Sequence, residues 1–172
     1  MDDLFSAAQA IFRNTPSRWA GMAQSFPLEL LARVPAPGEW SALECLQHIL
    51  DTEQVFHTRL RAFQTGRDFP AFFPDEEGTS LTGQPSPADM AARFASLRAE
   101  TLSLLAAFTP ADYQRRVRHA ELGMVSLGEM VAEIAGHDLM HTVQAERAMM
   151  QPFIAACGPW EIYFSDHLAA GS

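Results

Sequence analysis

The sequence predicts an all-α fold, a four-helix bundle forming one domain over residues 1–172, on three observations. Apolar residues recur at helical spacing in four long segments. Breakers bound each segment, and three of the segments open on a serine suited to cap a helix. Strand-like alternation is nowhere sustained, and only Tyr113–His119 has weak β character.

The first helix is expected from about Asp2 to Ser25, with Leu4, Ala8 and Ile11 on one stripe. Thr15-Pro16 either kinks it or restarts it, with Pro at the first helical position. Pro27, Pro35 and Pro37-Gly38 then mark a connector holding a short helical turn near Leu28–Ala32. The second helix begins at Ser41, with Glu44 in capping-box spacing, and ends near Gln64, before Gly66. Leu43, Leu46, Ile49, Leu50, Phe56, Leu60 and Phe63 form its apolar arc. Residues 65–86 mix Gly and Pro with polar residues and read as a long loop. The third helix starts at Ser86-Pro87 and runs to Phe108, with Met90, Phe94, Leu97, Leu104 and Phe108 as its seam, until Thr109-Pro110 stops it. The fourth runs from Ser126, with Glu129 again in capping-box spacing, to about Met150, stopped by Pro152. Helices of this size are about 35 Å long. The 65–86 loop could cross from one end of such a bundle to the other, which permits a parallel second and third helix without requiring it.

Composition narrows the function classes. A chain of 172 residues that is 48% apolar can bury a real core. Its net charge of −9 argues against nucleic acid or an anionic membrane as partner, since both carry the same sign. The run Arg115-Arg116-Val117-Arg118-His119 reads first as a solvated connector, with a small anion-binding patch as the alternative. The opening Met-Asp-Asp-Leu-Phe lacks a secretory signal's basic start and apolar run, and no stretch is apolar enough to span a bilayer, so a cytoplasmic protein is expected. Cys45 and Cys157 make no disulfide framework, and Cys45 reads as a small core residue.

Chemistry concentrates on the fourth helix. At about 100° per residue, His137 and His141 fall about 40° apart inside the arc of Leu127, Met130, Val131, Ile134, Ala145 and Ala148, with Gln144 beside them. Buried imidazoles need partners. Two at this spacing can share one metal ion or be satisfied within the core, and the pair alone leaves both readings open. His48, at the edge of the second helix's arc, could reach the same point from a neighbouring helix. His119 lies in a connector and His167 in the tail; His57, more than two turns from His48, is a candidate pocket residue.

Two segments carry a resemblance. Gly38-Glu39-Trp40-Ser41-Ala42-Leu43-Glu44-Cys45-Leu46-Gln47-His48-Ile49-Leu50-Asp51-Thr52-Glu53 resembles the entry to the second helix in the DinB superfamily, a Trp-Ser pair followed by a histidine and then Asp and Glu. Gly136-His137-Asp138-Leu139-Met140-His141-Thr142-Val143-Gln144 resembles the second signature of that family, His-Asp-x-x-His followed by Gln, and His119-Ala120-Glu121-Leu122-Gly123 is similar to the connector before it. The resemblance implies an up-down-down-up bundle with the 65–86 loop as a parallel crossover. It also implies that His48, His137 and His141 ligate one divalent metal ion.

Three histidines leave a coordination position open, which suits a catalytic site where a substrate thiol can bind as thiolate. Zinc or nickel is the expected ion, and all-imidazole ligation also accepts iron or copper. Characterised relatives include transferases and isomerases using bacterial low-molecular-weight thiols, so the resemblance implies a thiol S-transferase acting on a small molecule. A metal-dependent hydrolase and a non-catalytic metal- or ligand-binding bundle are the alternatives. Gln144 and Asp138 are candidates to orient an imidazole, with pairing to a neighbouring helix an equal reading for Asp138. Glu53 falls inside an apolar arc and needs a buried partner; Trp40, Phe56 and Arg59 could line a pocket mouth, with Arg59 receiving an anion. A helix face is available for homodimerisation, and Gly158–Phe164 either covers the bundle or joins such an interface.

Overall fold

In a computed structural model, which describes residues 2–72 and 86–169, the chain forms α1 (Asp2–Ser25), α2 (Leu28–Leu31), α3 (Ala42–Thr65), α4 (Pro87–Ala106) and α5 (Leu127–Ala156). A 3-10 turn (Pro110–Gln114) and strands β1 (Arg116–His119) and β2 (Gly123–Ser126) join α4 to α5. A run of 3-10 turns, Gly158–His167, follows α5.

The helix starts follow from their caps. Ser41 Oγ accepts the Glu44 amide at 3.2 Å while Glu44 Oε2 accepts the Ser41 amide at 2.7 Å, and Ser126 and Glu129 repeat the box. Ser86 caps α4 with Pro87 in its first turn. Gly66 ends α3 at φ 66°, a left-handed conformation glycine adopts without a Cβ clash.

The four long helices pack as a square in which α1 and α3 each touch both α4 and α5. Two apolar clusters fix the directions. One holds Ala8, Phe63, Leu105 and Leu127; the other holds Trp19, Leu43, Met90 and Met149. Thus α1 and α5 run one way and α3 and α4 the other, an up-down-down-up bundle with α3 parallel to α4. The link from α3 to α4 was expected over residues 65–86; its central part, 73–85, lies outside the described residues.

Between the clusters sits a buried polar layer. Arg98 on α4 is 1% exposed and donates to both oxygens of Glu53 on α3, at 2.7 Å each, and to Oδ1 of Asp138 on α5 at 2.9 Å. Thr101 donates to Glu53, and the Arg98 guanidinium lies 4.9 Å from the Phe94 ring centre and 5.2 Å from that of Phe12. Burial alone would lower the Arg98 pKa, but hydrogen bonds to Asp138 and Glu53 outweigh it and raise the value.

Several expectations need correction. Proline was expected to stop the last helix at Pro152, yet α5 continues to Ala156. The lost N–H bond is outweighed by tertiary ties: Ile154 is buried, and the chain after α5 folds back so that Arg147 Nε and Gln151 Nε2 donate to His167 O at 3.1 and 2.8 Å. Trp160, Ile162 and Tyr163 nevertheless remain exposed. Pro16 likewise lies inside a single α1, where Thr15 Oγ1 donates to Ile11 O at 2.9 Å. Leu4, placed on the buried stripe, is 65% exposed, and it is the adjacent Phe5 that packs on the core, against Tyr113 with ring centres 4.1 Å apart. On the third helix's seam Phe108 is buried as expected and Leu104 packs half-buried on the core, with Leu105 beside it the more deeply buried of the two. Finally, the weak β signal resolves into a hairpin, with Arg116 opposite Ser126 and His119 opposite Gly123.

Candidate metal centre

Antiparallel packing of α3 on α5 brings His48 beside His137 and His141. One nitrogen from each imidazole lies within 4.8 Å of one from both others, and the Nε2 atoms of His48 and His137 are 3.0 Å apart. Among the described residues these three form the group of side chains suited to hold a metal ion. Gln144 Oε1 lies 2.8 Å from His141 Nδ1, which fixes the proton on Nδ1 and leaves the Nε2 lone pair available. Trp40 stacks over His141 with ring centres 5.7 Å apart, and Phe56 meets His137 edge-on at 5.5 Å.

The electrostatics favour neutral donors. Burial, then the neighbouring His141 and His48 and the Arg98 and Arg59 charges, push the His137 pKa down to about 3. His141 is also lowered, by burial ahead of opposing contributions from Gln144 and Asp138. Both rings are therefore neutral at pH 7, the state in which imidazole donates to a metal. His137 Nδ1 is buried without a hydrogen-bond partner among the described residues. Three convergent imidazole nitrogens, two of them held neutral by burial, fit a borderline divalent cation.

The histidines stand at one side of a pocket of about 590 Å³ whose walls include Trp40, Phe56, Arg59, Phe69, His119 and Glu133. Of the other expected site residues, Asp138 and Glu53 are 1% and 0% exposed and face Arg98, away from the pocket. Asp138 thus pairs with a neighbouring helix and does not hold an imidazole. His57 is not a pocket residue: its Nε2 lies 2.9 Å from Leu97 O on α4. His119, set aside as a connector residue, lines the pocket because the hairpin folds over it. Phe69 N–H donates to Arg118 O at 3.1 Å and Ala120 N–H donates to Phe69 O at 3.2 Å, which ties the strand to the segment after α3. Glu133, also missed, sits one turn before His137 on the same face, a spacing visible in the sequence. Partial desolvation raises its carboxyl pKa, against the lowering effect of Arg59. No described helix is long and apolar enough to cross a membrane.

Comparison with known proteins agrees with this geometry at the level of fold and family. A solved structure of YfiT from Bacillus subtilis, described as a probable metal-dependent hydrolase with an unusual four-helix bundle topology, superposes with a TM-score of 0.74. The two are 13% identical, and the match covers 87% of each chain. No curated protein sequence matches significantly. The DinB superfamily model matches residues 11–145, which include all three histidines and most of the bundle, and the chain belongs to that superfamily.

Proposed function

We propose that the chain is a metal-dependent enzyme acting on a small molecule, with His48, His137 and His141 holding one divalent ion, zinc or nickel before iron or copper. The observation that carries this reading is the convergence of three imidazole nitrogens, within 4.8 Å of one another, at the wall of a pocket. A divalent ion there supplies Lewis acidity, which favours the thiolate form of a small-molecule thiol at neutral pH. The reaction we favour is conjugation of such a thiol to an electrophile in the same pocket: its sulfur bonds the electrophilic carbon, that carbon's leaving group departs with the bonding pair, and the thiol proton passes to solvent. The chain's own contributions are to orient His141 through Gln144, to exclude water with Trp40 and Phe56, and to keep His137 and His141 unprotonated by burial.

Hydrolysis is the second reading. It is favoured by the description of YfiT and by Glu133, whose raised pKa suits a general base at the pocket wall.

Metal analysis of tag-free protein, beside His48→Ala and His141→Ala, tests the common core of both readings. About one metal ion per wild-type chain, lost in both variants while helicity persists, supports it. Wild type that arrives metal-free and refuses added zinc and nickel overturns it. Conjugation assays with bacillithiol, mycothiol and glutathione across a panel of electrophiles, run against an ester and amide panel, then separate transfer from hydrolysis.

A further inference from the structure

The wall of the pocket formed by Arg59 and His119 holds hydrogen-bond donors that find no acceptor among the described residues. His119 Nδ1 accepts two backbone amides, from Glu121 at 3.1 Å and Leu122 at 3.2 Å. Its one proton therefore sits on Nε2. That Nε2–H faces Arg59 Nη2 at 3.5 Å, so a donor faces a donor. The Arg59 Nε is also buried and has no hydrogen-bond partner among the described residues. Among the described residues, no carboxylate lies within the 4.0 Å ion-pair distance of the guanidinium; Glu133 acts on it only at longer range. Both side chains are held in place. His119 is 6% exposed in the hairpin strand tied to Phe69, and Arg59 lies across the Phe69 ring at 5.5 Å. Buried donors that lack an acceptor are costly, and a pair that converges on a cavity is complementary to a shared acceptor.

We infer that Arg59 and His119 form an oxyanion subsite, which receives a carboxylate or phosphoryl group of the substrate at the pocket wall they share. The inference rests on the reading of this pocket as the substrate site. It restricts the substrate class to small molecules bearing an anionic group besides the reacting one. A guanidinium and a neutral imidazole N–H give charge-assisted bonds to such a group, and the low dielectric of the pocket strengthens them. The acidic residues Glu121, Glu129 and Glu133, which also line the pocket, select against ligands with excess negative charge elsewhere.

The test uses the full chain labelled with ¹⁵N-histidine, titrated separately with succinate and inorganic phosphate at fixed ionic strength, metal-free and zinc-loaded. The expected result is a saturable shift of the His119 Nε2–H resonance with at least one of the two, in both metal states. A response to succinate alone assigns the site to carboxylates, and a response to phosphate alone to phosphoryl groups. Arg59→Gln should weaken binding tenfold or more while zinc content is unchanged. Arg59→Lys, which keeps the charge but not the fork, should fall between. His48→Ala should lose zinc and keep the His119 shift, which separates failure of the subsite from failure of the metal reading. No saturable shift at His119 with either anion would overturn the inference. So would equal affinity in Arg59→Gln, or binding confined to the zinc-loaded protein.

Discussion

Arg98 Nη2 donates to Asp138 Oδ1 at 2.9 Å, and the same guanidinium holds Glu53 through two bonds of 2.7 Å. One cation thus ties α3, α4 and α5 together beside the residue that follows His137 in the chain. Its two partners leave the layer one negative charge in excess, a setting where removing the cation is far worse than removing the layer.

Arg98→Leu should therefore cost about 3–5 kcal/mol of stability, because two buried carboxylates lose their partner. Replacing Glu53, Arg98 and Asp138 together with apolar residues of similar size should cost less than the single change. Urea denaturation of the two variants checks the order; a single variant more stable than the triple would contradict it.

Gln144→Ala removes the acceptor on His141 Nδ1. Loss of such a partner lowers metal affinity by about 10–100-fold, so the variant should yield zinc to a chromophoric chelator at correspondingly lower competitor concentration, with helicity intact. Gln144→Glu, which keeps an acceptor, should retain most of the affinity.

Cys45 is fully buried, and burial ahead of the Glu44 charge pushes its thiol up to about 12. A thiol-reactive chromophore should label half-buried Cys157 in the native protein and reach Cys45 only on unfolding. Because the folded pKa exceeds the ordinary value of 9.0, the folded state keeps a proton that the unfolded chain releases. Stability should then fall as pH rises above about 9, and less so in Cys45→Val. The chain contains no lysine, so few other groups titrate in that window.

Ser126→Ala should cost about 1 kcal/mol by uncapping α5. The Ser126 amide, then its hydroxyl, hold the Glu129 carboxyl below its ordinary 4.5. A lowered acid stabilises the fold above that ordinary value and stops doing so as pH falls through its own. The gap between wild type and variant should narrow on acidification, as denaturation series at pH 7 and pH 3 would show.

The helix starts were legible because capping is local chemistry: Ser41, Ser86 and Ser126 each bond an amide three residues on. The end at Pro152 misled because the compensating bonds come from His167, far along the chain. Glu53, inside an apolar arc, announced a buried partner, but helical spacing could not point to Arg98. The two histidines on α5 were visible as a pair on a wheel; their meeting with His48 is a tertiary fact that the motif order anticipated. His119 was invisible as a pocket residue because a four-residue strand carries almost no periodicity, and its place depends on the bridge to Phe69.

The square packing has a consequence for how the chain is made. Arg18 on α1 bonds Glu146 on α5 across 128 positions, and His48 waits for His137, 89 positions later. At about 5–20 residues per second of synthesis, the second half of the histidine cluster leaves the ribosome about 5–20 s after the first. Late in that interval, once residues 87–106 have been made, α1, α3 and α4 still lack the helix that covers their shared faces, and Arg98 still lacks Asp138. A nascent chain released before α5 emerges would carry a single one of the three clustered histidines, so assembly of the cluster and closure of the bundle belong to the same late event.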